Sequence, residues 1–458
     1  MKPRISGLFA IAAFVLGCPL SSGQTLAQTM PVETVLYSFK GGSDGGDPFA
    51  GLIADKQGAL YGTTQGASPS CRDNTTCGTA FRLTPPSTGQ TEWTETVLYQ
   101  FCSLPNCADG GRPLAGLIAD KQGVLYGTTQ FGGATDQGTV FKLMPPAKGQ
   151  TEWTETVIYS FCSLPNCSDG ARPFNGRLFA DKQGVLYGTT QFGGAAGKGT
   201  VFKLTPPARF QTEWTETVLY SFCSLSNCSD GANPLGTTLI ADNQGGFFGT
   251  TVAGGAAGQG TVFKLTPPAR FETEWTAAVL YSFCSLPNCS DGPSPTAGVI
   301  TDKHGALYST TYNGGGASDS GTVFKLTPPA KYETEWTEIV LHSFAGRPND
   351  GAHSQLGLIA DKHGALYGAT LNGGANNLGT VFKLTPPARF QTEWTETALY
   401  SFCSLSNCSD GAFSVGDLIP DKHGALYGAT LSGGAAGHGV VFKLSGAFGE
   451  KANRDRPE

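Results

Sequence analysis

The chain has 458 residues, of which 64 are glycine, 28 are proline and only 14% are charged, and its formal net charge is −6. A mildly acidic surface without basic runs argues against nucleic acid and anionic membranes as partners. Length alone suggests about three domains of the usual ~150 residues, an expectation that internal repetition overrides.

The N-terminus has the pattern of a secretory signal: Lys2 and Arg4, an apolar stretch over residues 8–16, then small and polar residues up to Ala27. The stretch is too short to span a bilayer. Thr25-Leu26-Ala27 offers small residues to signal peptidase, which assigns residues 1–27 as a signal peptide. Val15-Leu16-Gly17-Cys18 is a looser, competing match to a lipobox, which would make the chain a lipoprotein anchored at Cys18. Without residues 1–27, which hold Lys2 and Arg4 but no acid, 28 basic residues face 36 acidic ones, a net of −8. No later segment reads as a transmembrane helix, and residues 445–458 form a polar tail. A secreted, periplasmic or cell-surface location is expected.

From residue 32 to 444 one unit recurs seven times. Val-Leu-Tyr-Ser-Phe or a near variant centres on Tyr37, Tyr99, Tyr159, Tyr220, Tyr281, His342 and Tyr400, 58 to 62 residues apart. The third copy holds short apolar runs at 156–161, 178–181, 185–190 and 200–204. They are rich in β-branched and aromatic residues and lack a 3.6 period, so they are read as strands. Asp181-Lys182-Gln183-Gly184 is hairpin-sized, Gly193-Gly194-Ala195-Ala196-Gly197 turns the next pair, and Pro206-Pro207 opens the third connection. Three hairpins give a four-stranded antiparallel meander. The longer link, 161–176, suits a crossing from the outer edge of one sheet to the inner edge of the next, as between propeller blades. Blades pack on both faces, which accounts for near-continuous apolar runs in place of strict alternation. The first strand, 33–39, is left to complete the last blade, which ends at 441–444. The expected fold is all-β: a monomeric seven-bladed β-propeller with four antiparallel strands per blade, closed by its N-terminal strand.

The recurring segments Leu-Tyr-Gly-Thr-Thr (125–129), Gly132-Gly133 and Gly-Thr-Val-Phe-Lys-Leu (138–143) resemble the GloVer tandem-repeat family of exported bacterial proteins. The resemblance covers residues 32 to 444. It implies an extracytoplasmic propeller-like repeat and brings no catalytic residues.

Twelve cysteines remain after Cys18, in close pairs, as an oxidising compartment allows. Cys102/Cys107, Cys162/Cys167, Cys223/Cys228, Cys284/Cys289 and Cys403/Cys408 bracket the crossover loops and are expected as local disulfides. Cys71 and Cys77 are expected to staple a hairpin of the first blade. No second Cys or His pair at ligand spacing accompanies them, which disfavours structural zinc.

Asp-Gly pairs follow the crossovers at Asp44, Asp109, Asp169, Asp230, Asp291, Asp350 and Asp410. They are read first as Asx-turns at chain reversals, and no cofactor is expected; the alternative is a ring of carboxylates on one face that binds calcium or a polyol. A second series, from Asp55 to Asp421 in turns that mostly read Asp-Lys-Gln/His-Gly, falls on the opposite face and is read as turn chemistry, with His304, His363 and His423 solvated beside it. Trp93, Trp153, Trp214, Trp275, Trp336 and Trp394 are either sugar platforms or interblade packing. The loop at 193–199 fails as a phosphate loop, because Phe192 stands where its first glycine belongs and a strand follows.

Catalysis needs one asymmetric cluster, whereas near-identical blades repeat every candidate about an axis. The expected function is therefore an exported binding module for an extracellular glycan or protein partner, without catalytic activity. A surface scaffold is the alternative, then a hydrolase or lyase with its site at the channel mouth. Chemistry, if present, belongs where the copies differ, at His342, Arg347 and His353 or at the Cys71–Cys77 hairpin.

Overall fold

The computed structural model describes residues 31–66 and 77–449. The signal segment, Cys18 and Cys71 lie outside the described residues. Seven four-stranded antiparallel sheets form the expected propeller. We letter the strands A to D from the inner edge outward; in blade 3 they are Phe179–Ala180, Leu186–Thr190, Thr200–Thr205 and Thr215–Ser221. Blades 1, 2, 4, 5 and 6 repeat this over residues 53–100, 118–160, 240–282, 300–343 and 359–401. Blade 7 draws strands A to C from Ala412–Pro420, Leu426–Ser432 and Val440–Ser445, and strand D from Val32–Ser38.

The N-terminal strand pairs antiparallel with Val440–Ser445, from Val32 opposite Ser445 to Ser38 opposite Val440, so the ring closes without an open edge. The register shifts between strands C and D in every blade, as between Val201 and Phe202 in blade 3. The extra residue of this bulge turns inward: Leu98, Leu219, Leu341 and Leu399 are 6–9% exposed. The Val-Leu-Tyr run is apolar throughout for that reason.

The core lies between blades rather than at the centre. At each of the seven interfaces the phenylalanine just after strand D meets the strand C phenylalanine of the next blade edge to face, from Phe39 on Phe81 to Phe402 on Phe442, at 4.8–5.2 Å. Beyond the last strand the chain is less polar in its packing than its composition suggests. Ala447 and Phe448 are buried, and Phe448 lies 4.7 Å from the Tyr367 ring of blade 6. No helix among the described residues is long and apolar enough to cross a membrane.

Candidate functional site

The meander puts the crossovers and B–C loops on one face and the A–B and C–D loops on the other. On the first face the five crossover disulfides are formed, Cys102–Cys107, Cys162–Cys167, Cys223–Cys228, Cys284–Cys289 and Cys403–Cys408. Cys77 is buried, with its Sγ within 4.8 Å of those of Cys102 and Cys107.

The Asp-Gly carboxylates lie in their own loops rather than in an open ring. Asp109, Asp169, Asp230, Asp291 and Asp410 are 0–1% exposed, and each loop wraps its own carboxylate. Oδ2 of Asp169 accepts from the Tyr159 hydroxyl at 2.8 Å and from the Ser163 amide and hydroxyl at 2.9 Å each, while Oδ1 accepts from the Leu164 amide at 3.2 Å. An anion buried without such donors is costly, and the loop satisfies it locally. Burial raises the Asp230 carboxyl, but its hydrogen bonds from Tyr220, Ser224 and Leu225 outweigh this and hold it below the usual carboxylate range. Asp44, half-buried, accepts from Tyr37 and the Lys40 amide. In Asp350 the tyrosine is replaced by His342, whose Nε2 lies 3.0 Å from Oδ2.

Against this network lies a glutamate that the sequence does not announce. Glu155 on strand D of blade 2 sits near Asp109, and burial together with that charge pushes its carboxyl up to about 8. The position recurs as Glu33, Glu95, Glu216, Glu338 and Glu396, each with a buried Oε1 lacking a hydrogen-bond partner; in blade 4 it is Ala277.

The six tryptophans are half-buried, each packed against an interblade cluster, as Trp153 is against that of Leu98, Phe101 and Phe141. The second aspartate series makes Asx-turns: Oδ1 of Asp55 accepts from the Gln57 and Ala59 amides at 2.9 Å. The same turns hold His304, His363 and His423 exposed, their amides donating to Asp302, Asp361 and Asp421.

The central bore breaks the symmetry. The residue two before each strand A isoleucine or phenylalanine faces the axis, and in blade order it is Gly51, Gly116, Arg177, Thr238, Gly298, Gly357 and Asp417. Arg177 reaches across from blade 3 to Asp417 of blade 7, Nη2 to Oδ2 at 3.4 Å, and the Gly357 amide donates to Asp417 at 2.8 Å. Glycine leaves room for them: a Cβ on Gly116 would lie 3.0 Å from Arg177 Nε, and one on Gly357 would lie 2.8 Å from Asp417 Oδ1. About 110 Å³ remains, space for water rather than for a sizeable ligand.

The other face carries the most exposed aromatic residues among the described residues. Phe210, Phe271, Tyr332 and Phe390 are 92–93% exposed at equivalent points of the C–D loops of blades 3 to 6. Each occupies the third position of a β-turn, closed in blade 3 by the Gln211 amide on the Ala208 carbonyl, with φ between 73° and 82°. Such a type II turn calls for glycine there. Blades 1 and 2 have it, as Gly89 and Gly149 with φ of 87° and 88°. Beside each ring stands a cation, Arg209, Arg270, Lys331 or Arg389, 5.0–5.2 Å from its centroid. Comparing the copies turn by turn would have revealed these tips, because an aromatic residue replaces the residue that the backbone prefers.

The fold is similar to that of PorZ, described as an essential bacterial surface component of the type-IX secretion system of Porphyromonas gingivalis. Identity is 15%, the TM-score is 0.51, and 89% of this chain and 48% of that chain are covered, so this chain spans about half its length. A protein of unknown function from Dyadobacter fermentans aligns at 12% identity and a TM-score of 0.39, over 91% of this chain and 97% of that one. None of the curated proteins matches. The Gloeobacter/Verrucomicrobia repeat model matches residues 24–176, 151–335 and 270–452, and the chain belongs to that family.

Proposed function

We propose that this propeller is an exported, non-catalytic binding module that holds an extracellular glycan along the arc of aromatic tips on blades 3 to 6. The observation that carries this reading is the placement of Phe210, Phe271, Tyr332 and Phe390, fully exposed, in a backbone conformation that disfavours them. A ring kept in water at a cost in strain is not there for the core. Its apolar face stacks on the C–H face of a sugar, and the adjoining Arg209, Gln211 and Glu213, or their counterparts, offer hydrogen bonds to hydroxyl groups. Four such points on one face suit a polymer whose residues repeat, with each weak contact reinforcing the next.

Export is part of the same proposal. Five formed disulfides fit an oxidising compartment. The surface role described for PorZ is in keeping with it, at the level of fold.

The test is native electrophoresis of the oxidised chain through gels carrying neutral, acidic or no polysaccharide. Retardation by at least one polymer, lost in a variant without the four rings, supports the reading. Migration unaffected by any polymer, with the rings instead needed to retain a protein from an extracellular fraction, assigns the arc to a protein partner and refutes the glycan reading.

A further inference from the structure

At six of the seven interfaces the residue facing the crossover aspartate is tyrosine; between blades 5 and 6 it is His342. A tyrosine hydroxyl keeps its proton at neutral pH and acts as a donor, whereas a neutral imidazole has a free lone pair. Here Nε2 lies 3.0 Å from Oδ2 of Asp350, to which it donates when protonated and beside which it can ligate a metal ion when its proton is on Nδ1. His342 lies near the end of strand D of blade 5, Asp350 comes from the crossover loop, and Glu396 comes from strand D of blade 6. One ligand atom from each lies within 4.8 Å of the other two.

The surroundings fit an ion. Asp350 is positioned by the Ala345 amide on Oδ2 at 2.8 Å and the Gly351 amide on Oδ1 at 2.6 Å, the outer support that fixes a ligating carboxylate. Oε1 of Glu396 is buried with nothing donating to it. The side chains of His342 and Asp350 are 20% and 12% exposed, so an ion has access from solvent.

We infer that His342 Nε2, Asp350 Oδ2 and a carboxylate oxygen of Glu396 form a site for one divalent transition-metal ion, with zinc the best match. One imidazole and two carboxylates are zinc ligands and leave its fourth position to water, whereas calcium takes six to eight oxygens. The ion ties together three segments at a crossover that has no disulfide. This inference does not depend on the glycan reading.

The test is equilibrium dialysis and calorimetry of Zn²⁺ on the untagged, chelator-stripped chain in non-reducing buffer, with Co²⁺ absorption reporting an N/O-ligated ion. The expected result is one zinc per chain and a melting temperature raised by zinc. His342→Tyr, which gives this interface the residue of the other six, should weaken binding at least tenfold and abolish the zinc-dependent shift while the zinc-free melt stays cooperative. Glu396→Gln should weaken binding as well. Glu338→Gln, at the neighbouring interface, should leave it unchanged. Absence of bound zinc, or wild-type binding by His342→Tyr, overturns the inference.

Discussion

Replacing the four aromatic tips by the residue that blades 1 and 2 use in the same turn, as F210G/F271G/Y332G/F390G, should separate recognition from stability. A non-glycine residue in the left-handed region costs roughly 1–2 kcal/mol. At 92–93% exposure the rings return almost nothing through burial. Glycine relieves the strain but frees the unfolded chain by about 0.5–1 kcal/mol, and it removes an exposed cation–π contact of about 0.5 kcal/mol. The terms cancel to within about 1 kcal/mol per site, so the melting temperature should move by no more than about 4 °C. Binding has no such cancellation. At roughly 1 kcal/mol of stacking per ring, four rings on one polymer amount to ~4 kcal/mol, about a thousandfold in affinity. Calorimetric melting and affinity electrophoresis on the same samples read both quantities. Retained affinity, or a melting temperature more than about 5 °C lower, would refute the argument, the latter by showing that the rings brace the fold.

Gly416→Ala should destabilise by at least about 3 kcal/mol in urea unfolding. Gly416 has φ of 76°, and a Cβ there would lie 2.4 Å from the backbone of Ala50 and Gly51, forcing blade 7 away from blade 1. Removing one small-loop disulfide as Cys162→Ser/Cys167→Ser should cost about 2 kcal/mol by loop entropy and leave far-ultraviolet dichroism unchanged, as denaturant titration would show. Stability should fall as pH rises from 5.5 to 8.5. Glu33, Glu95, Glu155, Glu216, Glu338 and Glu396 titrate at about 7 to 8 when folded, raised mainly by burial from an ordinary 4.5. Their neutral form favours the fold fully below about 4.5, and that contribution is lost through their folded values. Partial exposure screens each contribution, so the sum over six sites is what a melting series should detect, with Glu155→Gln flattening the curve.

The repeat and the order of strands could be read from the sequence because they are local patterns repeated seven times; the crossover disulfides follow from a cysteine spacing repeated in five copies, and the closing strand from the one strand that the last copy lacks. Features set by the ring itself could not. That Asp169 is enclosed by Tyr159 and Ser163 depends on how a loop folds back on its own carboxylate. Glu396 comes within reach of His342 only because consecutive outer strands are adjacent in space although 54 positions separate them in sequence. Arg177 and Asp417 are unremarkable until seven A strands converge on one axis. The aromatic tips are legible in the sequence only where the copies diverge, since Gly89 and Gly149 mark what the turn prefers.

The pairing of Val32–Ser38 with Val440–Ser445 has a consequence for the order of assembly. Six sheets are each built from a stretch of about fifty residues and can form as that stretch becomes available. The seventh joins segments some 400 residues apart, the costliest loop closure in the molecule. A chain that folds from its N-terminus must therefore carry its first strand unpaired until the last hairpin is in place, with the Val440–Ser445 edge the final one to be covered. The seam between first and last strand is thus the point at which two incomplete molecules could exchange strands and interlock.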